Sequence, residues 1–170
     1  MGVIRVLPTK GRRTIGPWCF VDVMTAADIA DPDPMEVGPH PHIGLSTVTW
    51  LLEGEALHSD SLGTEQVIRP GELNLMTAGH GIAHAELEVR RGSLGSQADG
   101  VKGVQMWLAQ TDATRHGPSS FTHHKDLPVI SDAVADIRLL AGRLSGIASP
   151  VTTDWPLLGA DITLRVPTHS

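Results

Sequence analysis

The stretch VGPHPHIGLSTVTWLLEG, residues 37–54, sets His40 and His42 one residue apart, with Pro41 between them, at the mouth of an apolar run. In an extended chain alternate residues face the same side, with Cα atoms roughly 6.5 Å apart. Two imidazoles at i and i+2 can therefore converge on one point. Proline keeps the segment extended and donates no ladder hydrogen bond, which suits a strand start or a sheet edge. The device recurs at His84-Ala85-Glu86, behind the glycine-rich turn TAGHG of residues 77–81. There an imidazole and a carboxylate share a face.

Outward from this stretch the chain reads as β throughout. Glycine and proline punctuate it every eight to twelve residues, the spacing of an all-β sandwich or barrel. Strands are expected at 47–54, 55–60, 65–68, 72–76, 82–88 and 102–110, with turns at SLGT (61–64), RPGE (69–72) and TAGHG. Two further strand-like pieces, 135–142 and 159–166, follow. No long stretch has a 3.6-residue apolar period; TAADIA (25–30) offers at most a short helix, and residues 90–100 read as an exposed loop.

A chain of 170 residues suits one domain with a real core. A net charge of −6, with basic pairs only at Arg12-Arg13 and Arg90-Arg91, argues against a nucleic-acid surface. No window approaches 18 apolar residues, so no membrane span is expected, and the N-terminus lacks a secretory apolar stretch. The single cysteine, Cys19, excludes an internal disulfide, fits a reducing cytoplasm, and reads as a buried small hydrophobe within PWCFVDVM.

Brought together inside a small antiparallel barrel, the two dyads supply three imidazoles and one carboxylate. That mixed N/O set suits Fe(II), Mn, Ni, Cu, Co or Zn. Weighed alone, one H-x-H is more often a pair of ordinary strand residues. A second dyad behind a glycine turn shifts the balance, because a buried glutamate needs a cationic partner. His58 lines the cavity or holds its hairpin, and His80 is a loop residue or a group behind the ligands. His116, His123, His124 and His169 read as surface, Glu53 and Asp60 as solvated strand ends, and Asp22 as an anchor for the N-terminal segment.

The run from Gly38 to Glu86 closely resembles the N-terminal cupin domain of the pirin family. Upstream, IGPWCFVDVM resembles that family's G-P-F-x-x-x-D entry segment. Downstream, GVQMWLAQ resembles its Q-x-W strand. The resemblance covers about Thr14 to Pro128 and continues weakly beyond. It implies a cupin fold, a jelly-roll barrel over residues 1–128, with 129–170 resembling the start of a second barrel. It places one Fe ion on His40, His42, His84 and Glu86. Two features depart from the family: Ile43 and Ser46 stand where it usually carries arginine and glutamate, which alters hydrogen bonding around the ion and any general-base role. Only one full barrel is present, so the apolar surface a second barrel covers is expected to be exposed or buried in a homo-oligomer.

Two functions are implied. The first is a quercetin 2,3-dioxygenase-like oxidoreductase acting on a flavonol-like aromatic substrate and dioxygen, with Glu86 accepting the substrate proton and His58, His80 and Ser46 behind the ligands or lining the cavity. The alternative is a non-catalytic, metal-dependent regulator that binds a transcriptional or metabolic protein partner. A barrel in which the metal is only a staple is the third and dullest reading.

Overall fold

Glycine- and proline-marked turns at intervals of about ten residues favour short strands, and every regular element among the described residues is a strand. The computed structural model describes residues 2–25, 35–89, 93–94 and 100–165. Ten strands come first: β1 (Gly2–Leu7), β2 (Trp18–Thr25), β3 (Glu36–His42), β4 (Leu45–Glu53), β5 (Ala56–Asp60), β6 (Glu65–Ile68), β7 (Leu73–Thr77), β8 (Ile82–Glu88), β9 (Lys102–Ala109) and β10 (Ser120–His124). They form a six-stranded sheet in the order β1-β2-β9-β4-β7-β10 and a four-stranded sheet in the order β3-β8-β5-β6. These are the two walls of the barrel.

Five more strands follow: β11 (Val129–Ser131), β12 (Ala135–Ala141), β13 (Arg143–Leu144), β14 (Ile147–Ala148) and β15 (Gly159–Leu164). β11-β12-β15 make a small antiparallel sheet, and β13-β14 a two-stranded ribbon.

Period-two alternation sorts β4 between two cores. Leu51 points inward and packs with Met24, Ala56, Ile68 and Val101 at the barrel floor. Val48 and Trp50 point outward, yet each is only 3% exposed. They pack against Leu140, Ala141 and Val151 of the C-terminal segment. Trp50 Nε1 also donates to Asp161 Oδ2 at 3.2 Å, tying β15 to the sheet. Both faces of β4 are therefore dry, which is why its apolar alternation is only partial in the sequence.

Each expected strand is present within two residues, and 65–68 and 82–88 have the expected bounds. β1, β2, β3, β10, β11, β13 and β14 were not foreseen. β3 carries two prolines, which argue against a strand locally; pairing with β8 overrides them. The expected helix at 25–30 lies outside the described residues except Thr25, which closes β2, and of loop 90–100 only 93–94 and 100 are described. Arg5 donates to Asp22 through Nε and Nη2, so Asp22 anchors β1 as expected. Cys19 is half-buried rather than buried, with Sγ 3.6 Å from the Trp107 carbonyl. On the C-terminal sheet Ile162 is 57% and Leu164 70% exposed. No helix among the described residues is long and apolar enough to cross a membrane.

Candidate metal centre

Strand register decides which side chains meet. β3 runs antiparallel to β8 with His40 opposite His84 and Val37 opposite Glu86. Three residues on β3 span two on β8, so a bulge lies between Val37 and His40. The bulge lets both residues face inward, a re-aiming use typical of bulges near functional sites. On the other side of β8, β5 places Asp60 opposite His84 and His58 opposite Glu86. From the facing wall, Thr49 of β4 lies level with Gln105 of β9.

Three imidazoles gather tightly. His84 Nε2 lies 3.1 Å from His42 Nε2 and 3.1 Å from His40 Nε2. Two nitrogens, each about 2.1 Å from one ion and at right angles to each other, stand about 3 Å apart, so the spacing matches a shared divalent ion. Burial, and then the neighbouring His40, push His42 below the usual imidazole range. Burial followed by the charges of His40, His58 and His42 brings His84 down to about 3. Both rings are thus neutral, with lone pairs available, as metal binding requires.

Glu86 completes the donors from a different side. It falls into a second group with His58 and His84, one donor atom of each within 4.8 Å of the others; the first group is His40, His42 and His84. The two groups share His84. Glu86 is 8% exposed, and burial raises its pKa, offset in part by a hydrogen bond from Thr49 and by the charges of His58 and His40. Thr49 Oγ1 is 3.0 Å from Glu86 Oε1 and 2.9 Å from Gln105 Oε1. A buried carboxylate beside clustered imidazoles has no fixed cationic side chain against it, and a divalent cation supplies that charge. The residues present fit a metal ion.

Aromatic rings frame the cluster. His42 meets the edge of Trp107 with centroids 5.0 Å apart. Trp107 stacks on Phe20 at 4.0 Å, and the Arg5 guanidinium caps Phe20 at 4.3 Å. His58 stacks on Phe121 at 4.5 Å.

The remaining expected residues divide. His58 is 3% exposed and touches His84, so it does line the site. His80 is exposed in its turn, with Nδ1 2.8 Å from the Gly117 carbonyl oxygen, and lies outside the histidine cluster. Ser46 points to the outer face of β4, bonds to Thr77 Oγ1 at 3.1 Å, and lines a small cavity with Thr152–Trp155. Its even position in β4 sends it away from the inward-facing Thr47 and Thr49, so the departure from the family at this residue leaves the imidazoles untouched. Ile43 is 63% exposed.

Two surface assignments are corrected. His123 packs inward with Nδ1 2.7 Å from Asn74 Oδ1, because β10 pairs with β7 and places it opposite Asn74. Asp60 is fully enclosed: Oδ2 lies 3.0 Å from His58 Nε2, and Oδ1 accepts from the backbone N–H groups of Leu62 and Thr64. Burial alone would raise its pKa, but the bonds from His58, Thr64 and Leu62 outweigh burial and hold it below the usual carboxylate range. The signal for Asp60 was present in the sequence: His58-Ser59-Asp60 is a third i, i+2 dyad. Thr49 and Gln105 carry no comparable mark.

Two facing antiparallel sheets that enclose three convergent imidazoles and a buried carboxylate define a cupin barrel able to hold a metal ion. The chain belongs to the pirin family, whose model, described as Pirin, matches residues 2–108. It is 48% identical over 160 residues to the "Putative quercetin 2,3-dioxygenase" of Pseudomonas aeruginosa, covering 94% of this chain and 49% of that protein. It is 42% identical over 158 residues to a "Pirin-like protein" of Caulobacter vibrioides, covering 90% and 54%. The crystal structure of a quercetin 2,3-dioxygenase from Acinetobacter baumannii superposes with a TM-score of 0.87 at 40% identity, over 95% of this chain and 52% of that one. The chain spans about half the length of the curated relatives it matches.

Proposed function

We propose that this chain is the metal-binding barrel of a quercetin 2,3-dioxygenase-type oxidoreductase, with Fe(II) held by His40, His42, His84 and Glu86. The convergence of three Nε2 atoms around His84 carries this reading. The names of the relatives and the likeness to the Acinetobacter baumannii enzyme support the choice of chemistry. Residues 129–170 are, on the same reading, the opening strands of a second cupin barrel. The outward core that they share with β4 and β7 is then the seam between the two barrels.

The chain's own residues divide the work. The stacked Trp107 and Phe20 offer a flat wall beside His42 for an aromatic ring, and Arg5 over Phe20 adds positive charge for a phenolate. Glu86 is the base that takes the proton of the substrate hydroxyl. Thr49 holds one carboxylate oxygen of Glu86 in place, and Gln105 in turn supports Thr49. A bound redox-active ion acidifies the substrate hydroxyl and enables its reaction with dioxygen.

The test is oxygen uptake with quercetin by iron-loaded protein, alongside elemental analysis of protein purified without added metal. Uptake that disappears in His84→Ala supports the proposal. Metal-loaded protein that consumes no oxygen with any flavonol refutes the catalytic reading, and protein that binds no divalent metal refutes the site.

A further inference from the structure

We infer that Asp60 and His58 are positioning residues that fix the tautomer of His84, so that its Nε2 presents a lone pair to the ion; the inference rests on the metal-holding reading above. The three side chains form a line. Asp60 Oδ2 is 3.0 Å from His58 Nε2, and His58 Nδ1 is 3.4 Å from His84 Nδ1. His84 Nε2 then stands 3.1 Å from the Nε2 atoms of both His40 and His42.

Proton accounting gives this line a direction. An ionised carboxylate only accepts, so the proton between Asp60 and His58 sits on His58 Nε2. A divalent ion on His84 repels a second positive charge on His58, which leaves His58 Nδ1 bare and able to accept. With no ion between them, two bare nitrogens do not face each other at 3.4 Å, so in the ion-bound site His84 carries its proton on Nδ1. Nε2 of His84 is therefore free of hydrogen at the point where the other two nitrogens converge. His40 reaches the same state by a shorter route: its Nδ1 is 2.9 Å from the Gly38 carbonyl oxygen, so Nδ1 is the donor and Nε2 is bare. Outer partners of this kind orient metal-bound histidines and raise their basicity.

The line is rigid at its far end. Asp60 is held through Oδ1 by the backbone N–H groups of Leu62 at 2.9 Å and Thr64 at 3.2 Å, in the turn after β5. The His58 ring lies against Phe121 with an interplanar angle of 23° and is 3% exposed, so packing opposes a ring flip. The line also settles a competition. One donor atom each from His58, His84 and Glu86 also lie within 4.8 Å of one another, which offers His58 as a rival ligand. His58 has no nitrogen to spare for an ion, since Nε2 donates to Asp60 and Nδ1 accepts from His84. The ion belongs on the His40 side.

Asp60→Asn tests this without changing volume. An amide N–H facing His58 Nε2 turns the line around: His58 becomes protonated on Nδ1 and His84 on Nε2, where the ion should sit. At pH 8, imidazole 15N NMR should show His84 protonated on Nδ1 in the zinc-loaded parent and on Nε2 in Asp60→Asn, while in the metal-free proteins His58 carries hydrogen on Nε2 in the parent and only on Nδ1 in Asp60→Asn. Zn2+ affinity, read by competition with a chromogenic chelator, should fall about 10- to 100-fold. His58→Asn, whose side-chain oxygen stands near the lost Nδ1, should retain affinity within a few-fold of the parent. His58→Leu should lose it as Asp60→Asn does, and melting of the metal-free variants reports folding separately.

Unchanged His84 tautomer and zinc affinity in Asp60→Asn overturn the inference. So does His58→Asn losing zinc as completely as His58→Leu, because His58 is then a ligand. If the parent binds no zinc or iron, the metal reading fails, while the nitrogen of His58 that carries hydrogen in the metal-free protein still decides whether Asp60 directs the line.

Discussion

Thr49→Val removes one hydroxyl from the barrel interior and almost no volume. Thr49 is 4% exposed, and its Oγ1 lies within 3.0 Å of oxygens on both Glu86 and Gln105. A hydroxyl has a single hydrogen, so with Glu86 ionised it goes to the carboxylate, and the Gln105 amide turns its N–H toward Thr49. A hydrogen bond to a charged group contributes about 1.5–3 kcal/mol. At about 1.4 kcal/mol per tenfold, its loss weakens binding of a divalent ion about 10- to 150-fold. The sign with pH also follows. The Thr49 bond lowers the Glu86 pKa against burial, so removing it raises that pKa further. Metal binding by the variant should then weaken more steeply as pH falls. The assay is chelator competition with Zn2+ across pH 6 to 8, with Thr49→Ser as the variant that restores the hydroxyl. Affinity of a folded Thr49→Val within about threefold of the parent would refute the view that this hydroxyl supports the Glu86 carboxylate.

Metal-free protein should lose stability as pH drops below 6.5, the ordinary imidazole value. The folded state holds His84 down to about 3 while the unfolded chain takes up its proton, so this one group removes up to ~1.4 kcal/mol per pH unit. Urea unfolding of the parent against His84→Gln checks this, and equal slopes would contradict it. Leu140→Ala, in the core shared with Val48 and Trp50, should cost about 2–5 kcal/mol. Because that core is common to both parts, the barrel and the C-terminal sheet should still melt in one transition; two separate transitions would show independent units. Gly79→Ala places a Cβ 2.3 Å from the Gly117 carbonyl oxygen at a φ of +51°, in the turn that leads into β8. It should destabilise the fold by about 2 kcal/mol or more, read as a lower Tm. Saturating the parent with Zn2+ at about 100 times its Kd should stabilise it by about 2.7 kcal/mol, and Asp60→Asn at the same zinc concentration should gain less.

Much of the site is local in origin. An i, i+2 spacing on an extended chain puts two side chains on one face whatever the rest of the fold does, so His40 with His42 and His84 with Glu86 were recognisable as donor pairs from residues alone. The strands of the barrel were legible for the same reason, since turn residues and period two act over a few positions. Pairing is a different matter, because it joins positions dozens of residues apart. Only the register of β3 on β8, with its bulge, sets His40 against His84. Only β5 beside β8 turns Asp60 from an apparent strand-end carboxylate into the enclosed partner of His58. Parity within β4 sends Ser46 out and Thr49 in, and the sheet order brings Gln105 level with Thr49. Short-range chemistry in the sequence determined which residues could hold an ion. Long-range strand pairing, driven by burying both faces of the central strands β4 and β7, decided which of them meet and what stands behind them.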